Sequence, residues 1–287
     1  MSDKANAAEN MAAEDWAGEM GERWLRNLDR FESMIAPVGE ALLQRADYQP
    51  GQSVLDIGCG GGASARAIAA RVGPAGRVMG VDISPHLVVE CERRAHAADI
   101  ANVHFVAADA AAVKLPAGSY DRLHSRFGSM FFPEPAAAFR NLAGLVRSGG
   151  RADFAVWAPA KDNPWVGSMM GILRDYIELP KPEPHAPGPF ALDDPNYFAS
   201  LLRQAGFISL EFALWQGAQP IGGAGSTPES ACDFVLNSMN FGDMLSEQPA
   251  TVRAAVEARL LALFRGQHTP RGVEMQALAW LVSARRG

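Results

Sequence analysis

Val54-Leu55-Asp56-Ile57-Gly58-Cys59-Gly60-Gly61-Gly62 decides how the rest of this chain reads. Val54, Leu55 and Ile57 have the apolar, partly β-branched make-up of a buried strand. The glycines that follow can take positive φ and let the backbone come close to a ligand. Ala63 to Ala70 then starts an alanine-rich helix, whose first N–H groups lack partners and attract negative or polar groups. Strand, turn and helix make the βα unit of a nucleotide site, and Gly58-x-Gly60-x-x-Ala63 satisfies the loose dinucleotide pattern.

Asp56 narrows the ligand. It stands two residues before the first glycine, at the end of the strand. Beside a pyrophosphate its charge would repel, by several kcal/mol in a poorly screened site. Beside a cationic ligand it attracts. The pattern Asp-x-Gly-x-Gly-x-Gly therefore selects a nucleoside with a positive group and no phosphates, and S-adenosyl-L-methionine, with an ammonium and a sulfonium, fits. The plainer alternative is that Asp56 caps the turn or the helix.

Two further acids end strands. Arg77–Asp82 reads as the second strand, and Asp82 lies 24 residues after Gly58. In a doubly wound fold an acid near this spacing accepts from ribose hydroxyls, although Asp82-Ile83-Ser84-Pro85 could also cap a helix. The third strand is Val103–Asp109, and the fourth is Tyr120–Phe127, which runs into Gly128-Ser129-Met130-Phe131-Phe132. Three carboxylates at three strand tips are more specific as a set than singly.

Val54–Gly62 resembles the first motif of the class I SAM-dependent methyltransferases. The chain is similar in particular to the methyltransferase type 11 group, the ubiquinone/menaquinone methyltransferase-like enzymes, from about Trp16 onward. The Ser125-Arg126-Phe127-Gly128-x-Met130-Phe131-Phe132 wording carries the same likeness. The resemblance implies a Rossmann-like α/β fold, a seven-stranded doubly wound sheet whose last strand runs antiparallel, with N-terminal helices and helical lid insertions. It implies that Asp109 takes the adenine amino group, a sound pairing of acceptor with donor. Gly58, Cys59, Gly60, Ile83, Ala108 and Ala110 complete the cofactor turn and its flanks. Ser125 and Phe127 border the cofactor. Trp24 lines its pocket or, in the plainer reading, packs on the sheet with Trp16, Met20 and Leu28 at helical spacing. Arg126, a candidate catalytic residue, either faces the methionine carboxylate or the substrate, or forms an ion pair.

The composition bounds the substrate. The 287 residues are 48% hydrophobic, ample for a core, and the net charge is −6. Without a basic stripe, nucleic acid is not an expected partner. Cys59, Cys91 and Cys232 are odd in number and widely spaced, which disfavours a disulfide framework or a metal site. The first 14 residues are small and polar and read as disordered, without the order of a signal peptide, and no apolar run is long enough to span a bilayer. The expected setting is cytoplasmic, and a homodimer is compatible with the sequence.

Residues 1–50 read as an N-terminal helical extension and 51–160 as the cofactor-binding core. Residues 161–287 read as the remainder of the core, with lid insertions at about 161–195 and 222–270. The first insertion holds an extended proline-rich loop, Pro180–Phe190. His185 in that loop is the candidate catalytic base, against the plainer reading of an exposed loop residue. Gly222–Gly225 reads as a flexible link, and His124 as a packed core residue. Asn163-Pro164-Trp165 falls after strand five, too late for the motif of amino-methylating enzymes. The expected activity is methyl transfer to a small acceptor, apolar or aromatic, at oxygen, carbon or nitrogen. The alternatives are a protein or RNA methyltransferase, a SAM-binding protein without activity, and a nicotinamide-dependent oxidoreductase, which Asp56 opposes.

Overall fold

The computed structural model describes residues 16–179, 183–239 and 241–287, so the reading of the first 14 residues and of Pro180-Lys181-Pro182 lies outside the described residues. Two helices come first, α1 (Glu19–Arg26) and α2 (Leu28–Ala46). There follow β1 (Ser53–Ile57), α3 (Ala63–Val72), β2 (Arg77–Asp82), α4 (Pro85–Ala97), β3 (Val103–Ala107) and β4 (Tyr120–Arg126). After these come α5 (Pro135–Leu145), β5 (Val146–Trp157), α6 (Pro164–Arg174), α7 (Pro195–Gln204) and β6 (Phe207–Pro220). The chain closes with α8 (Pro228–Ser238), α9 (Phe241–Leu245), α10 (Ala250–Gly266), β7 (His268–Thr269) and β8 (Gly272–Arg286).

The sheet order is β3-β2-β1-β4-β5-β8-β6. Pairings from β3 through β5 are parallel, and β8 runs antiparallel between β5 and β6. The seven-stranded sheet expected from the resemblance is present, with the two-residue β7 as a small addition hairpinned to β8. β1 is buried at all five positions, which explains its unbroken apolar run in a strand covered on both faces. The chain leaves β1 toward β2 and β3 on one side and resumes at β4 on the other. That reversal opens the crevice where ligands bind in doubly wound sheets.

Tertiary contacts explain two sequence features. Asn163 anchors the start of α6 to β8. Its side-chain amide donates to the Ala158 and Leu278 carbonyls at 2.9 and 2.8 Å and accepts from the Leu278 N–H at 2.8 Å. The Gly222–Gly225 stretch is a tight turn seated on α2 and not a loose link. A side chain at Gly223 would stand 3.4 Å from the Arg30 Cα, and the Ala224 N–H donates to the Ser33 hydroxyl at 2.8 Å.

Candidate functional site

The glycine turn is held by β2. The Gly58 and Cys59 N–H groups donate to the Val81 carbonyl at 2.8 and 3.1 Å, and the Gly60 N–H donates to Asp82 Oδ2 at 2.8 Å. Gly58, Gly60 and Gly62 all have positive φ. Gly58 must also be small, because a Cβ there would lie 2.6 Å from the Gly128 Cα at the end of β4. The turn is thereby clamped between β2 and the loop that follows β4.

Above the turn lies a cavity of about 1360 Å³, larger than the roughly 300–1,000 Å³ of an ordinary small-ligand site. Gly58, Cys59, Gly60, Asp82, Ile83, Asp109 and Ala110 line one end. Phe127, Trp157, Trp165, Met170, Phe190 and Met239 line the other, drawing on β4, β5, α6 and the segments beyond. The N-terminal helices close the top. Aromatic rings run from Phe131 through Trp16, Trp24 and Phe31 to Phe234, with Trp24 stacked on Phe31 at 4.0 Å. Trp24 thus lines the cavity and packs at once. Arg23 pairs with Asp243 at 2.7 Å, and Arg30 with Asp233 at 3.2 Å, tying α1 and α2 to α8 and α9.

The three acids occupy different settings. Asp82 is buried, lines the cavity, and accepts from the Gly60 and Ser84 N–H groups. Burial pushes its carboxyl up to about 6 against those hydrogen bonds. Asp109 lies two residues past β3 on the rim, where its Oδ1 accepts from the Ala111 N–H at 2.8 Å. Asp56 does not reach the cavity. It is fully buried, its Oδ2 accepts from the Ser64 hydroxyl at 2.6 Å, and its Oδ1 has no partner. The expectation of direct ligand contact by Asp56 is therefore corrected, because the strand turns its side chain behind the turn, toward the start of α3.

Burial pushes the Asp56 carboxyl up to about 7. A raised carboxyl pKa costs the folded state stability, and the cost grows as the pH rises from the unfolded value of about 4 to the folded value of about 7. Asp56→Asn, which keeps an acceptor for Ser64, is expected to stabilise the protein by about 2 kcal/mol or more near pH 8, by less as the pH falls below about 7, and by almost nothing near pH 3, below the unfolded carboxyl's own pKa. Thermal unfolding at the two pH values checks this.

Three other expected residues stand apart from the cavity wall. Ser125 is fully buried; its hydroxyl donates to the Ile57 carbonyl and accepts from the Ser129 N–H, so it braces β4 against β1. His185 is exposed and stacked on Tyr197 at 3.6 Å, while its neighbours Pro189 and Phe190 reach the cavity. The expectation that His185 is a base is corrected, since aromatic stacking holds its ring outside. Ala108 is tied by its N–H to the Asp82 carbonyl at 2.9 Å and likewise does not line the wall. His124 is buried and bonded to the Tyr48 hydroxyl at 2.9 Å, and burial lowers its pKa to about 3, so it packs as a neutral core residue.

Arg126 does line the cavity, and it pairs with Glu32 of α2 at 2.5 Å. Both side chains are about nine-tenths buried. Gly39 sits where α2 crosses the guanidinium, since a Cβ there would be 2.9 Å from Arg126. Glu32 escaped the sequence reading. Its only signal was an acid on an otherwise apolar helical face, which the periodicity alone assigns to solvent.

Residues 54–150 match the family described as "Methyltransferase domain". Nocamycin O-methyltransferase of Saccharothrix syringae is 31% identical over 61% of this chain and 65% of its own length. Aklanonic acid methyltransferase DauC of Streptomyces sp. strain C5 is 33% identical over 42% of this chain and 54% of its own. The chain thus spans between about half and two thirds of these relatives. The crystal structure of the YcgJ protein from Bacillus subtilis, 16% identical, superposes with a TM-score of 0.55 over 86% of this chain and 97% of that one, a likeness of fold. Among the described residues no helix is long and apolar enough to cross a membrane. Residues 54–150 thus carry a methyltransferase domain, and the sheet order and glycine turn around it fit the class I SAM-dependent methyltransferase fold that the sequence resembles.

Proposed function

We propose that this protein transfers the methyl group of S-adenosylmethionine to a small molecule with an apolar or aromatic body. One observation carries the reading. A single cavity of about 1360 Å³ has the glycine turn and Asp82 at one end and an aromatic and methionine-rich chamber at the other. That volume accommodates cofactor and acceptor side by side, and the lining of the far end suits an apolar acceptor. The small-molecule relatives nocamycin O-methyltransferase and aklanonic acid methyltransferase support the same class.

The residues present fit the cofactor. S-adenosylmethionine ends in an ammonium and a carboxylate, and the Glu32–Arg126 pair offers one group for each. Glu32 lies beside the turn, since a Cβ at Gly60 would be 3.8 Å from its Oε1. Arg126 Nε is buried without a partner, as is Trp24 Nε1 at the same end. Asp82 would accept from the ribose hydroxyls, and Asp109 from the adenine amine. The bound cofactor supplies an activated methyl group. The chain holds it in line with the acceptor and excludes water through the lid of α1, α2, α6 and α9.

Asp82→Ala is expected to weaken S-adenosylhomocysteine binding a hundredfold or more, because it also strands the Gly60 and Ser84 N–H groups. In the unchanged protein, affinity should fall as pH drops through about 6, where Asp82 protonates. Calorimetry across pH checks both. Retained affinity in the variant would sink the assignment.

A further inference from the structure

We infer that the acceptor is an organic acid already ionised at neutral pH, which takes the methyl group on oxygen without help from a protein base. The inference rests on the methyltransferase reading above and names its substrate class. It starts from the polar groups of the cavity wall. Among the described residues no histidine or tyrosine lines the cavity. The Cys59 thiol, which does, is held neutral by its hydrogen bond with Cys91 and by burial, both of which push its pKa well up. Glu32 is committed to Arg126, and Asp82 to two backbone N–H groups. Asp109 belongs to the cofactor end. Glu134 is exposed at the start of α5, and an ordinary carboxylate is a base far too weak to ionise a phenol or alcohol efficiently.

The cations of the acceptor end stand in contrast. Lys161, in the turn before α6, and Arg174, at its end, line the cavity at its exposed mouth, and neither forms an ion pair among the described residues. They favour an anion entering an otherwise apolar chamber, where a lone charge would be costly.

The chemistry agrees with this wall. An acceptor oxygen donates an electron pair to the methyl carbon; the carbon–sulfur bond breaks and its pair stays on sulfur. A carboxylate and a sulfonium become a neutral ester and a neutral thioether, and no proton moves. The transition state carries less charge than the reactants, so replacing water by Phe127, Trp157, Trp165 and Met170 accelerates the step. A neutral phenol would have to lose a proton, and among the described residues the wall offers no group matched to receive it.

The test uses the full chain saturated with S-adenosylhomocysteine. Calorimetry compares naphthalene, anthracene and pyrene carboxylates with their carboxamides and with naphthol at neutral pH. At least one acid is expected to bind tenfold or more tighter than its amide and than naphthol. Lys161→Ala or Arg174→Ala should cut that preference below threefold while leaving S-adenosylhomocysteine affinity unchanged. With S-adenosylmethionine in place of its product, mass spectrometry should show a methyl ester of the bound acid and no naphthol ether. Cofactor-product binding without any acid preference, or methylation of naphthol as readily as of an acid, overturns the inference alone. Failure to bind S-adenosylhomocysteine overturns the methyltransferase reading, and the inference with it.

Discussion

Gly58→Ala is expected to abolish measurable S-adenosylhomocysteine binding and to destabilise the protein by about 3 kcal/mol or more. Two effects combine at this position. An alanine at φ +64 has left-handed strain, and its Cβ would lie 2.6 Å from the Gly128 Cα, so backbone must move against backbone. The movement cannot stay local. Gly58 and Cys59 hang from the Val81 carbonyl and Gly60 from Asp82, so displacing the turn misaligns the groups expected to meet the cofactor. Gly51→Ala is the control. Gly51 has a similar φ of +83, with nothing within 4 Å of an added Cβ. It should cost about 1–2 kcal/mol and leave binding intact. Thermal unfolding and calorimetry on the two variants separate strain from collision.

Arg126→Ala is expected to cost about 3–5 kcal/mol, because it leaves Glu32 charged and buried without its partner. The Glu32→Gln/Arg126→Ala double variant should recover a large part of that stability, since no charge then stays buried. Cofactor-product affinity should fall in both, by tenfold or more, because neither retains the two groups that match an ammonium and a carboxylate. A double-mutant cycle from chemical unfolding measures the coupling. If the single variant unfolds no more easily than the double, the pair is not the stabilising unit its burial implies.

The fold was legible because β1 and the glycine turn leave few alternatives. A fully buried five-residue strand, positive-φ glycines and a helix start can serve only a βα crossover of this kind. Asp82 was read only as a strand-end acid, and it lies on the cavity wall because the Gly60 and Ser84 N–H groups hold its carboxylate there. Asp56 misled, since a strand-end acid reads the same whether it faces the ligand or, as here, Ser64. Sequence shows which strand a residue ends, and the side-chain direction past the last ladder bond depends on packing. His185 failed for a related reason. Its loop does reach the cavity through Pro189 and Phe190, but which residues point inward is set by stacking on Tyr197, a contact with no sequence period. Glu32 was invisible because its partner stands 94 residues away on β4, and only the crossing of α2 over Arg126 brings the two together.

The central claim is that the glycine turn, Asp82 and the Glu32–Arg126 pair form an S-adenosylmethionine site beneath the N-terminal helices. Titration of the purified chain with S-adenosylmethionine and, separately, with S-adenosylhomocysteine tests it most directly. The account predicts micromolar, one-to-one binding of both. Binding of neither to the folded protein, or binding of a nicotinamide dinucleotide in their place, would contradict it.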